Sequence, residues 1–183
     1  MTATANLEND HVHILLLTDI MEAITVTDEV HPEHLDSVVK LIRNFADGLH
    51  HNKEENLLFP AMAARGYSFS QGPVAVMMED HRQGREFVKG MAEGIDQYKS
   101  GKKDAIFSVF RNMLGYVELL RSHIAKENNI LFRMADGVLS DDEQKKMLQE
   151  FLTIESSVRS GENASGYIDE IHKLARVYNV LIS

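Results

Sequence analysis

"HHNKEENLLFP", residues 50–60, sets two histidines, a lysine and two glutamates directly against Leu57, Leu58 and Phe59. Seventy-three positions further on, the chain writes the phrase again as "HIAKENNILF", residues 123–132. The copies align without a gap: His50 on His123, Glu54 on Glu127, Leu58 on Leu131 and Phe59 on Phe132. Residues four apart in an α-helix project from one face, so each copy stacks an imidazole and a carboxylate one turn apart. Tyr116, Leu119 and Leu120 precede His123, and Ile130 and Leu131 follow Glu127; Ile42 and Ala46 precede His50, and Leu57 and Leu58 follow Glu54. Both pairs therefore interrupt an apolar stripe from within.

An ionised carboxylate in a hydrophobic core costs several kcal/mol unless it is paired or bound to a cation. A pair of divalent or trivalent cations removes that cost, because neutral imidazole and carboxylate are good ligands for borderline and hard metals. His81 shares a helical face with Val74, Met77 and Val88, and His11 shares one with Leu7 and Ile14 or Leu15. The candidate metal set is thus His11, His50, Glu54, His81, His123 and Glu127, with a ligand from every long helix. Taken singly, His11 and His81 read as core histidines satisfied by a neighbour; the tandem pattern is what carries the metal reading. His51 and Glu55 line up with Asn44, Asp47 and Gly48 and read as nearer the edge. His13 faces another side, with Leu16, Leu17 and Ile20. His31 and His34 fall at a loop and helix start, where solvent or capping is expected, and His172 reads as structural. The nine methionines read as packing.

Composition narrows the field. Zero cysteines exclude disulfides, thiolate metal sites and cysteine nucleophiles. A formal charge of −9 without a basic patch argues against nucleic acid and anionic membranes. No apolar run approaches the ~20 residues that span a bilayer, and "MTATANLEND" does not read as a signal peptide, so a soluble cytoplasmic protein is expected. At 183 residues with 44% apolar composition and three prolines, the chain reads as all-α.

Helical periodicity runs from about Leu7 to Thr25. Pro32 suits the first turn of a second helix of about 30 residues, ended by Pro60 and Gly66. Pro73 opens a third helix and a fourth covers about Ala105 to Ala135. Four long helices on short loops pack as an antiparallel up-and-down bundle. Ser140 and Glu143 form a capping box for a fifth helix, "SGENASG" is a flexible break, and Tyr167, Ile171, Leu174 and Tyr178 stripe a sixth. The whole chain, 1–183, reads as one domain: a bundle core at about 7–136 and a C-terminal helical extension at about 140–183.

"NDHVHI", "HHNKEENLLFP", "GPVAVMMEDHRQGREF" and "HIAKENNILF" together resemble the bacterial hemerythrin-like proteins of the HHE cation-binding group. The resemblance implies a four-helix bundle holding two non-haem iron ions, bridged by two carboxylates and an oxo or hydroxo species, with the six candidates as ligands. Two departures stand out. The oxygen carrier of that family has a second histidine one turn after the third-helix ligand, where this chain has Arg85. The carrier also has an aspartate five residues after its fourth-helix histidine, where this chain has Glu127 at four. A missing histidine leaves a position open to water, to a small diatomic or peroxide ligand, or to a loop histidine such as His31 or His34. The first expectation is a protein that binds dioxygen, nitric oxide or peroxide for sensing, storage or detoxification. A second is an iron donor that repairs damaged iron–sulfur or di-iron centres, which a ligating His31 or His34 would favour. A third is a metal-free helical interaction module. Iron is preferred by resemblance alone, since manganese and zinc accept the same donors. Catalysis and homodimer formation both stay open, and Arg85 is expected to pair with a carboxylate beside His81.

Overall fold

Thr2 begins the fold: its hydroxyl accepts the backbone N–H of Ala5, so helix α1 (Ala3–Thr25) starts four residues ahead of the expected Leu7. The computed structural model describes residues 1–156 and 163–182, and everything below refers to these. The second long helix starts at Pro32, whose missing N–H costs nothing in a first turn. It continues unbroken through α2 (Pro32–Leu41), π1 (Ile42–His51), π2 (Glu54–Leu58) and α3 (Phe59–Ala63). Helix α4 (Pro73–Lys99) follows, and the fourth long helix joins α5 (Ala105–Lys126), π3 (Glu127–Leu131) and α6 (Phe132–Val138). No strand occurs among the described residues.

The π-helical segments are the feature that α-helical periodicity does not anticipate. A π turn bonds each N–H to the carbonyl five residues back and shifts the following register around the helix axis. Phe59 N–H reaches the Glu54 carbonyl, and Phe132 N–H reaches the Glu127 carbonyl. Both copies of the repeat thus carry the same π turn at the same place, one with a proline behind it and one without.

The bundle closes as a ring: α4 packs along α5, α5 along α1, α1 along π1, and α2 along α4. Two separate apolar clusters fill it. The larger holds Ile14, Leu17, Leu35, Phe45, Met91, Met113 and Ile124, and the smaller holds Leu7, Leu58, Phe59, Val74, Met77, Leu131 and Phe132. Every one of the six candidate ligands lies in sequence between a residue of one cluster and a residue of the other. A polar layer is thereby sandwiched between two apolar plugs.

Helix α7 (Asp141–Ser156) opens with the expected capping box: Glu143 accepts from the Ser140 N–H and hydroxyl. Its Met147 and Phe151 complete the smaller cluster. Helix α8 (Ala164–Val177) is capped by Asn163 and buries Tyr167, Ile171 and Leu174 in the larger one. Residues 160–162 of the anticipated break lie outside the described residues. No helix among the described residues is long and apolar enough to cross a membrane.

Candidate metal centre

Glu54 and Glu127 are both 0% exposed, and neither carboxylate oxygen of either residue has a hydrogen-bond partner. Four orphaned carboxylate oxygens in a core are far outside ordinary practice for buried polar groups. Imidazoles crowd them at contact distance. Glu54 Oε1 lies 3.6 Å from His50 Nε2 and Oε2 lies 3.5 Å from His81 Nε2, so one carboxylate faces both sides. Glu127 Oε2 lies 3.3 Å from His11 Nε2 and 3.1 Å from His123 Nε2.

The other ring nitrogens are already engaged. Nδ1 of His11 meets Asn128 Oδ1 at 2.7 Å, and that of His50 meets Asp10 Oδ2 at 3.2 Å. Nδ1 of His81 meets Glu55 Oε1 at 2.7 Å, and that of His123 meets Asp80 Oδ2 at 3.3 Å. Each partner atom is an acceptor, so in a neutral ring Nδ1 carries the proton and Nε2 the lone pair. Yet the Nε2 atoms of His11 and His50 stand 3.0 Å apart, and those of His81 and His123 stand 3.3 Å apart. Facing lone pairs repel, and a cation between them converts the repulsion into coordination. The Nδ1 acceptors are the outer partners that orient ligating histidines.

Two groups of donors with this character converge. One is His51, Glu54, His81 and His123; the other is His11, His50, Glu54 and Glu127. All six candidates from the sequence fall within them. His51 corrects the earlier placement: it is 5% exposed, not at the edge, its Nδ1 meets Asp47 Oδ1 at 3.2 Å, and its buried Nε2 has no partner. The cause is local. In the wider π1 turn, neighbouring His50 and His51 both point inward. Glu55 remains partly exposed but serves as the His81 acceptor.

Behind the acceptors stands a row of cations. Lys53 bonds Asp10, Lys126 bonds Asp80, and Arg85 spans Asp47 and Glu55 with 2.7 Å contacts to each. Arg85 therefore makes the anticipated carboxylate pair beside His81. The arrangement has an internal twofold. Asp10-His11 corresponds to Asp80-His81, and His50, Lys53, Glu54 and Glu55 correspond to His123, Lys126, Glu127 and Asn128. The Asp-His doublets and the repeated lysine were the sequence signal for these outer partners. One break in the symmetry stands out: where one copy has His51, the other has Ile124.

Without metal, protons meet the same demand. Burial and the neighbouring Glu127 push the Glu54 carboxyl well above the usual range. Burial would raise Glu127 too, but His123 and His11 outweigh it and hold that carboxyl well below. Burial opposes charge on His123 as well, yet Glu127 and Asp80 raise it to about 9. Burial lowers His50 and His81 to about 3.

His31 and His34 lie outside both groups. His34 Nδ1 contacts the Tyr178 hydroxyl at 2.7 Å, and His31 sits near Glu29 and Glu33. His13 lies against the His172 and Phe45 rings, also outside both groups.

The chain is 29% identical over 122 residues to a "Probable iron-sulfur cluster repair protein" of Haemophilus influenzae, an alignment covering 61% of this chain and 54% of that protein. The chain thus spans about half the length of that relative. No solved structure matches it. Residues 2–135 match the family described as "Hemerythrin HHE cation binding domain", and the chain belongs to that family.

Proposed function

We propose that the protein is a di-iron protein in which His51, His81 and His123 hold one ion, His11 and His50 hold the other, and Glu54 and Glu127 bridge the two. The observation that carries this reading is the meeting of four unpartnered buried carboxylate oxygens with five imidazoles whose Nδ1 atoms are already spoken for. Bound there, iron supplies a redox-active Lewis acid. The surrounding residues do the rest. Asp10, Asp47, Glu55, Asp80 and Asn128 hold the rings in register, and the two apolar clusters keep bulk water from the layer.

The two ions are not equivalent in this reading. Three imidazoles serve one and two serve the other, because Ile124 stands where the twofold would place a histidine. The open position, for a ligand of the dioxygen, nitric oxide or peroxide class, therefore belongs to the His11–His50 side. A cleft of about 130 Å³, lined by Ile42, Arg43, Arg85, Val88 and Tyr116, reaches the layer at His51 and His81, on the three-imidazole side.

The relative's name favours a second reading, donation of iron to damaged iron–sulfur centres. The position of His34 on Tyr178 does not favour it, since that histidine is engaged away from both donor groups. Metal analysis with an optical spectrum tests the main proposal: about two irons per chain with ligand-to-iron charge-transfer absorption is the expected result. Protein purified and reconstituted with iron that still holds none would return the chain to a metal-free helical module. Transfer of that iron to an apo iron–sulfur protein would decide for the second reading.

A further inference from the structure

Lys53 is 1% exposed, an unusual place for an ammonium group. Its Nζ is fully used: it donates to Asn6 Oδ1 at 2.8 Å, to Asp10 Oδ2 at 2.6 Å and to Glu155 Oε1 at 2.8 Å. Asp10 Oδ2 is also the atom that meets His50 Nδ1. A continuous path of polar contacts therefore runs from Glu155, near the end of α7, through Lys53 and Asp10 to a metal-site histidine. Phe151, one turn before Glu155, is fully buried, and its ring lies 5.3 Å from the Lys53 ammonium. Helix α7 lies wholly beyond residues 2–135, the part of the chain that matches the family.

The internal twofold supplies a control within the same molecule. Lys126 holds Asp80 Oδ2, which meets His123 Nδ1, as Lys53 holds Asp10. Lys126, however, is 35% exposed and, among the described residues, has no second carboxylate like Glu155 among its ion pairs. Only the His50 half is closed over by the C-terminal arm. An Nδ1–H donated to a full carboxylate makes the ring a stronger donor at Nε2. A lysine on the same oxygen draws charge away from that bond, and Glu155 in turn offsets the lysine.

We propose that α7 sets the electronic character of the His50 side of the centre: Glu155 and Lys53 are positioning residues that act through Asp10 on His50. The inference rests on the di-iron reading and adds to it a role for the arm. It predicts opposite effects from two substitutions in the intact chain. Lys53→Met frees Asp10 for His50 and shifts the reduction potential of the iron-loaded protein downward. Glu155→Gln leaves Lys53 less opposed and shifts the potential upward. Glu155→Gln, which makes the ring a poorer donor, should also weaken iron binding by up to roughly 10-fold, the scale for outer-partner losses at metal sites. The equivalent Lys126→Met should leave the effect of Glu155→Gln unchanged when the two are combined. Should Lys53→Met not fold, the upward shift in Glu155→Gln decides alone. Potentials in both variants equal to that of the unsubstituted iron-loaded protein would overturn the inference and leave the di-iron reading standing. An unsubstituted protein that takes up no iron would overturn both.

Discussion

The rings of His51 and His81 lie face to face, 3.7 Å between centroids and 17° from parallel. His51 also meets His123 edge-on, at 5.8 Å. Three imidazoles from three helices thus share one corner of the polar layer, although α-helical spacing assigns only two of them to it. Replacing His51 with Gln should weaken binding of one ion by at least the 10-fold typical of outer-partner losses, while the other ion is retained. His31→Gln, outside both donor groups, serves as the control. Titration of iron into the metal-free variant, read as stoichiometry and affinity, checks the prediction; two unperturbed sites would remove His51 from the centre.

The bundle and most of the layer were legible because they rest on spacing. His50, Glu54, His123 and Glu127 repeat without a gap, and His11 and His81 sit on clear apolar stripes. His51 was not legible, because the π1 turn changes the number of residues per turn and no composition cue marks it. The outer partners were hidden for another reason. Asp10, Asp80, Lys53 and Lys126 look like ordinary surface charges until the fold closes over them, and Glu155 reaches Lys53 across 102 positions of sequence. Local periodicity cannot encode a contact of that range.

Glu54 and Glu127 look interchangeable in the repeat, but their metal-free states differ. Burial and Glu127 raise Glu54 and so favour its protonated form, while Glu127 is lowered and pairs with His123. Glu54→Gln therefore exchanges one neutral group for another and should leave the metal-free stability within about 1 kcal/mol. Glu127→Gln strips the partner from a buried imidazolium and should cost about 3–5 kcal/mol. Both should lose iron. Denaturant titration of the chelator-treated proteins measures the difference; equal losses of stability would contradict the assignment of the shared proton.

Iron uptake must displace protons, because ligands bind deprotonated. At pH 7 the metal-free site holds one on His123, whose value is raised to about 9, and the upward shift of Glu54 favours its protonated form as well. Loading should then release at least the His123 proton, and affinity should climb as pH rises toward 9. Calorimetry in two buffers of different ionisation enthalpy counts the protons released.

Stability of the metal-free protein should fall on both sides of about pH 6.5. His123, raised from 6.5 to about 9, contributes stability that is fully present below 6.5 and is lost as pH rises through 9. His50 and His81 are lowered from 6.5 to about 3, so the unfolded chain binds protons that the fold refuses, and stability drops as pH falls across that range. Thermal melts at pH 4, 6.5 and 9 would show the maximum in the middle. A monotonic trend would mean that one of these groups is not buried in the manner described.

Ile124 offers the sharpest test of inequivalent ions. It is buried, belongs to the larger apolar cluster, and stands in the repeat where His51 stands in the other copy. Ile124 lies in α5, three residues before π3, whereas His51 closes π1, so the substitution also tests whether an α-helical backbone can aim a ring at the layer. Ile124→His should supply the His11–His50 side with a third imidazole. Exchanging buried apolar volume for a polar ring costs about 1–3 kcal/mol in the metal-free protein, and ligation should recover it once iron binds. The loaded variant should then hold about two irons yet fail to bind nitric oxide or azide, because the vacant position is filled. Retained binding of those ligands at full iron content would place the open position elsewhere, and the sequence difference between His51 and Ile124 would cease to explain it.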